Sequence, residues 1–261
     1  DRSFTLDETN ETIIDNDLGL TWQNIANIDQ NWSDAIATCN DLELKGKTDW
    51  RLPNIHELVS IANKTKTDPA SYQEFNQSIH PRYWSSTSYI NDDSRAWIIH
   101  LTSSSEGTVS ETKSNNNIYA RCVRGKSQTE RTFIRDFATK IVYDTNSDLL
   151  WHDAEKTQES DNLTWQQANT YCADMIVGGY TWRVPSFSEL QSIVNYDSFL
   201  PSINKEVFLN INSEGHWAST VDANAVSNKA WSIRFSGGEG VLEDKDSPSR
   251  TQSAKCVTDA Q

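Results

Sequence analysis

The feature that most constrains this chain is an internal repeat. Its 261 residues could form one large domain or two of ordinary size, and a repeat decides for two. Leu18-Gly19-Leu20-Thr21-Trp22 matches Ser147-Asp148-Leu149-Leu150-Trp151, and Trp32-Ser33-Asp34-Ala35 with Cys39 matches Trp165-Gln166-Gln167-Ala168 with Cys172. Trp50-Arg51-Leu52-Pro53 with Glu57-Leu58 matches Trp182-Arg183-Val184-Pro185 with Glu189-Leu190. Trp84-Ser85-Ser86-Thr87 then matches Trp217-Ala218-Ser219-Thr220, Ala96-Trp97 matches Ala230-Trp231, and Arg121-Cys122-Val123 matches Lys255-Cys256-Val257. The offset drifts only from 129 to 134, so both copies should share one fold. The boundary falls in the polar stretch Lys126 to Glu130, giving domains 1–126 and 127–261.

Periodicity supplies the elements. Trp32, Ala35, Ile36 and Cys39, like Trp165, Ala168 and Cys172, follow helical spacing, and Thr164 with Gln167 forms a capping box. Asn54 with Glu57, and Ser186 with Glu189, start a second helix after each Trp-Arg-x-Pro. Trp97, Ile99 and Leu101, and Trp231, Ile233 and Phe235, alternate as half-buried strands.

Cysteine and charge narrow the setting. Cys39 and Cys122 lie 83 residues apart and Cys172 and Cys256 lie 84 apart, neither in metal or redox spacing. One disulfide per copy is the simplest reading, buried free thiols the alternative, and such bonds persist outside the cytoplasm. The first copy carries 18 acidic and 11 basic groups and the second 19 and 12, so an evenly acidic surface disfavours nucleic acid and anionic lipid. No stretch approaches the roughly 20 apolar residues of a membrane span. Asp1 opens no basic-then-apolar leader, so any signal or anchor is expected to be removed or to lie outside this sequence.

Taken in order, Trp-x-x-Ala, Cys, Trp-Arg-Leu-Pro with Glu-Leu, Trp-Ser-Ser-Thr, Ala-Trp and Cys-Val-Arg make each copy resemble the C-terminal domain of the bacterial collagen-like adhesin Lcl. The resemblance spans nearly all of each copy. The second departs at Val184, Ala218 and Lys255-Cys256-Val257-Thr258. It implies a C-type-lectin-like fold, related to the formylglycine-generating-enzyme group, and adhesion to host or biofilm glycans. The expectation is therefore α+β: two tandem C-type-lectin-like domains, each of two helices and a small antiparallel sheet closed by one disulfide. The function expected is an extracytoplasmic binding module of a bacterial surface or secreted protein, acting in adhesion through glycan binding. A protein-binding or structural module of an envelope or pilus assembly is the alternative.

An enzyme is not expected. His56, His80, His100, His152 and His216 have no equivalents in the other copy, and no metalloprotease, serine-hydrolase or P-loop motif is present. Gly237-Gly238-Glu239-Gly240 follows a strand and reads as a hairpin turn. A formylglycine-generating chemistry would need a reactive cysteine pair where structural ones stand. Arg51 and Glu57, with Arg183 and Glu189, read as internal caps or pairs. Lectin-like folds carry function on loops, and the copies diverge after each Trp-x-Ser-Thr. Tyr89, Asn91, Asp92 and Asp93, with Asp222, Asn224 and Asn228, are thus the candidate ligand contacts. Glu243, Asp244 and Asp246 are the candidate calcium ligands, hard cations taking clustered oxygens. The competing reading of all ten is solvated turns. The acidic surface favours neutral or cation-bridged ligands over the anionic glycans of the adhesin.

Overall fold

A computed structural model describes every residue except 1, 10, 67–69, 79, 102–106, 129–130, 155–160, 225, 247–251 and 261, and the side chains of 76–78. The chain divides into two compact units, Asp1–Thr129 and Glu130–Gln261. Unit 1 runs β1 (Phe4–Asp7), β2 (Thr12–Asp15), β3 (Leu20–Gln23), β4 (Asp29–Gln30), α1 (Trp32–Asn40), α2 (Ile55–Ser60), a 3-10 turn over Gln73–Ser78, β5 (Arg82–Ser88), β6 (Arg95–His100), β7 (Thr108–Thr112), β8 (Ile118–Tyr119) and β9 (Val123–Arg124). Unit 2 runs β10 (Phe133–Asp136), β11 (Ile141–Asp144), β12 (Leu149–His152), α3 (Trp165–Ala173), β13 (Ile176–Val177), β14 (Tyr180–Thr181), α4 (Phe187–Ser192), β15 (Gly215–Val221), β16 (Lys229–Arg234), β17 (Glu239–Asp244) and β18 (Cys256–Asp259).

Unit 1 has a terminal sheet ordered β1-β2-β3-β9 and a central one ordered β4-β8-β5-β6-β7; unit 2 has the terminal sheet β10-β11-β12-β18, the central β15-β16-β17 and the ribbon β13-β14. The turn before β3 follows from one aspartate. Asp15 Oδ1 accepts from the N–H groups of Asp17 and Leu18 at 3.1 and 2.9 Å, and Gly19 closes the turn at φ +65°.

The repeated motifs prove structural. The β5–β6 ladder shifts register between Trp84 and Ser88, and β15–β16 between Trp217 and Val221, a bulge in each Trp-x-Ser-Thr. The bulge turns backbone and hydroxyl toward the neighbouring helix. Ser86 N–H donates to Pro53 C=O at 2.8 Å and Ile55 N–H to Thr87 Oγ1 at 3.0 Å. Ser219 donates to Pro185 C=O at 2.7 Å, and Phe187 N–H to Thr220 Oγ1 at 2.9 Å. Orphan donors at each helix start are thereby satisfied. Capping boxes at Asn54–Glu57, Thr164–Gln167 and Ser186–Glu189 satisfy others. The cysteines form disulfides Cys39–Cys122 and Cys172–Cys256, tying the first helix of each unit to its last strand region.

The α+β expectation is corrected. Among the described residues there are eighteen strands in five sheets and four α-helices of six or nine residues, so the chain is mainly β. It is not a C-type-lectin-like pair of helices over one small sheet. The strands taken as half-buried are buried on both faces, because the central sheet of unit 1 lies between two cores. Tyr83, Ile99 and Leu101 pack with Trp22, Leu58 and Ile61, whereas Trp84, Ala96 and Ile98 pack with Ala35, Cys39 and Trp50. A strand covered twice carries a continuous apolar run, here Trp97-Ile98-Ile99, rather than an alternation.

Candidate functional site

The terminal sheet of unit 1 alternates strictly. Ile13, Leu20 and Trp22 point into the core, while Thr12, Ile14 and Thr21 line the opposite face. Beside that face stands a two-residue hairpin in which Leu44 and Lys47 pair and Lys45 and Gly46 take φ of 50° and 73°, the left-handed pair such a turn requires. Sheet and hairpin enclose a groove of about 210 Å³, lined by Asp7, Thr12, Ile14, Thr21, Leu44, Lys45, Lys47, Trp50 and Arg124. This is smaller than the roughly 300–1,000 Å³ of pockets that swallow drug-sized ligands. It has room for a small group or one end of a longer ligand.

Charge at the groove is balanced. Lys45 pairs with Glu11 at 3.1 Å. Arg124 donates through Nε and Nη2 to Asp49 at 2.7 and 3.1 Å, which holds that carboxyl below its ordinary pKa. The guanidinium lies 6.0 Å from the Trp50 ring, whose Nε1 donates to Lys47 C=O at 3.1 Å. A floor of mixed polar and apolar surface, from Thr12, Ile14 and Thr21, and the ion-paired Lys45 and Arg124 on the rim suit an uncharged polyhydroxylated group better than a bare anion.

The matching surface of unit 2 is packed shut. Thr12, Ile14 and Thr21 correspond to Ile141, Tyr143 and Leu150, and Leu44 and Lys47 to Val177 and Tyr180. Ile141 and Leu150 belong to the core cluster around Trp182, and Tyr143, Val177 and Tyr180, partly buried, pack against it. A Cβ at Gly178 would come within 2.9 Å of the Tyr180 ring and 3.2 Å of Ile141, so the hairpin lies directly on the sheet.

In the loops singled out from sequence, Asp92, Asp222 and Asn224 bond within their own turns. Asp92 Oδ1 accepts from Ser94 N–H at 2.9 Å and Ser94 Oγ at 2.7 Å, which lowers the Asp92 pKa, the hydroxyl contributing most. The Tyr89 ring stands edge-on to Trp97 at 5.4 Å, and Asn91 and Asp93 are exposed on the same turn. Asp222 Oδ1 accepts from Asn224 N–H at 3.1 Å, and Asn224 Oδ1 from Val226 N–H at 3.3 Å.

The three carboxylates do not converge. Glu243 is buried and accepts from Arg234 at 2.7 Å, whereas Asp244 and Asp246 accept from Asn228 Nδ2 at 3.2 and 2.8 Å. Glu243 and Asp244 are successive strand residues and leave opposite faces of the sheet. Among the described residues no group of three or more His, Cys, Asp or Glu is placed to hold a metal ion. Arg51 and Glu57 form a two-pronged pair at 2.7 Å on each prong, as Arg183 and Glu189 do at 2.8 Å.

A second polar concentration went unnoticed in the sequence. In unit 2 Asp153 is fully buried and meets two buried cations, Lys255 at Oδ1 and Arg135 at Oδ2, the latter at 2.6 Å. Its Oδ2 also accepts from the N–H groups of Leu209 and Asn210 at 2.8 and 3.3 Å. Beside it opens a cleft of about 30 Å³ whose lining includes His152, Asn210, His216 and Lys255. Burial, then the Lys255 charge, push the His152 pKa down to about 4. The signal available was Asp153 standing opposite Lys255, one step beyond the His152–Cys256 pair of β12 and β18.

The structure therefore defines a tandem array of small, disulfide-closed, mainly-β units, one with an open groove and one without. The chain belongs to the Lcl C-terminal domain family, whose profile matches residues 11–124 and 140–258, once in each unit. No curated protein matches it. Among the described residues no helix is long and apolar enough to cross a membrane.

Proposed function

We propose that this chain is a non-enzymatic, extracytoplasmic module of a bacterial surface or secreted protein that adheres by binding glycan, with the groove of unit 1 as the contact. The observation carrying this reading is the contrast between that open groove and its sealed counterpart: closing the surface takes only larger side chains, and unit 1 lacks them. Family membership supports adhesion, and the two disulfides fit an oxidising compartment. The balanced charges favour neutral sugars.

The test is a glycan array probed with the full chain and with the triple variant Thr12→Ile, Thr21→Leu, Lys47→Tyr, which imports the unit 2 filling. Binding to neutral glycans that the variant loses at least tenfold is the expected result. Equal binding by both proteins would remove the groove from the proposal. Capture of one envelope protein, indifferent to competing sugar, would favour a protein-binding or structural module instead.

A further inference from the structure

Unit 2 holds a lysine amine and a carboxyl group in contact out of reach of bulk water. Lys255 Nζ meets Asp153 Oδ1, with side chains 5% and 0% exposed, and the Phe208 ring lies 5.4 Å from Nζ. The other carboxyl oxygen, Oδ2, receives three donors: Arg135 Nη1, Leu209 N–H and Asn210 N–H. We propose that Lys255 and Asp153 join as an intramolecular isopeptide bond, made by the folded unit without cofactor or partner.

The step balances within the pair. The ammonium passes one proton to Oδ1, leaving a neutral amine and a neutral acid. The Nζ lone pair attacks Cγ, the Nζ–Cγ bond forms, and the carbonyl electrons move onto Oδ2. Donors already aimed at Oδ2 hold the negative charge that develops there, as an oxyanion hole does. Collapse restores the carbonyl and breaks Cγ–Oδ1, and Oδ1 leaves with a second amine proton as water. Ammonium and carboxylate thus become one amide and one water, with nothing oxidised or reduced.

Three features favour this direction. Contact replaces a chance encounter between the groups. A buried ion pair is costly because both charges have lost their hydration, whereas an amide carries none. Burial also lowers the Lys255 pKa, which makes the neutral amine more accessible. The adjacent cleft of about 30 Å³, which Lys255 lines, has room for at least one water, so the leaving molecule has a place to go.

Unit 1 cannot do the same. Arg121 stands where Lys255 does and donates to the main-chain carbonyls of Gln23 and Asn24, and Asn24 replaces Asp153. A guanidinium is no nucleophile.

The experiment is intact mass under denaturing, reducing conditions, with peptide mapping, on the full chain and on Lys255→Arg and Asp153→Ala, the latter because an Asn carboxamide could form the same bond with loss of ammonia. Lys255→Arg keeps a cation against Asp153, as unit 1 keeps one at Arg121, so loss of fold does not confuse its result. The wild-type chain should weigh one water less than its sequence and yield a branched peptide joining Lys255 to Asp153, and both variants should have full mass. A wild-type chain of full mass overturns the proposal. So does a water loss that persists in Lys255→Arg, which would mark a cyclic imide.

Discussion

The two units share motifs, bulges, capping boxes and disulfides but differ in which surface their sequence fills. Unit 1 leaves polar side chains over its terminal sheet and keeps a groove; unit 2 puts Ile141, Tyr143, Leu150 and Tyr180 there and closes it. At the opposite end of the hydrophobic scale, unit 1 anchors a buried arginine on carbonyl oxygens, while unit 2 buries Asp153 between Lys255 and Arg135. One copy thus presents an open surface while the other holds a charged interior. Scaffold residues answer to packing in both copies, so they stayed alike.

The sharpest test of that contrast is Asp153→Ala against Asn24→Ala. Removing Asp153 deletes the link to Lys255 and leaves two cations, Lys255 and Arg135, each 5% exposed, without the oxygens they meet, and a buried charge left uncompensated costs about 3–5 kcal/mol. Removing the Asn24 side chain leaves the main-chain carbonyls that hold Arg121, so a loss on the order of 1 kcal/mol is expected. Hydrogen exchange resolved by peptide in the full chain reads each unit separately. Equal losses would mean that the buried charge does not distinguish the copies.

Next in size is the disulfide. Cys39→Ala with Cys122→Ala releases a loop of 83 residues in unit 1, worth about 4 kcal/mol in the chain-entropy model. The corresponding double variant at Cys172 and Cys256 should cost less, because the Lys255–Asp153 link already closes the surrounding loop. A larger loss in unit 2 than in unit 1 would reverse this comparison.

Much of this was legible in the sequence, and the failures have physical causes. The repeat, the family and the helix starts could be read because Trp, Pro, Cys and capping residues act locally or recur at fixed positions. The strands were placed, but their half-buried reading failed because Trp97, Ile99 and Leu101 alternate while Ile98 between them is equally apolar, so a doubly covered strand resembled a half-covered one. Of the ligand contacts sought in Asn- and Asp-rich loops, Asp92, Asp222 and Asn224 bond their own turns, while Asn91 and Asp93 stay exposed. Glu243 looked like one of three clustered carboxylates, yet strand geometry turns it inward onto Arg234. The groove was written at Thr12 and Thr21 against Ile141 and Leu150. That difference lies on strands, away from the loops where divergence attracts notice.

The smallest expected effect sharpens the comparison through pH. His152 occupies the position held by Gln23 in unit 1. Burial chiefly, with the Lys255 charge wherever that amine is unlinked, lowers its pKa to about 4, while an unfolded histidine titrates near 6.5. As pH falls from about 6.5 to about 4, the unfolded chain takes up a proton that the folded unit refuses, so stability is lost across that window and this group adds no further loss below it. The full shift would correspond to about 3 kcal/mol; partial exposure of the ring reduces the expectation to about 1–2 kcal/mol. The Glu189 pKa is lowered too, but a carboxylate loses its contribution only below its ordinary value near 4.5; burial raises the Glu239 pKa, which adds stability as pH falls toward that value and offsets part of the loss at His152. In unit 1 the His80 pKa shifts the same way, its ring stacked on Tyr119 at 3.6 Å but more exposed, so a weaker dependence is expected there. His152→Gln should flatten unit 2 between pH 6.5 and 5, read by unit-resolved exchange in urea, and leave unit 1 unchanged. If unit 2 of the variant still loses stability over that range as the wild type does, the loss arises from another group, and the buried histidine is not what separates the two copies in acid.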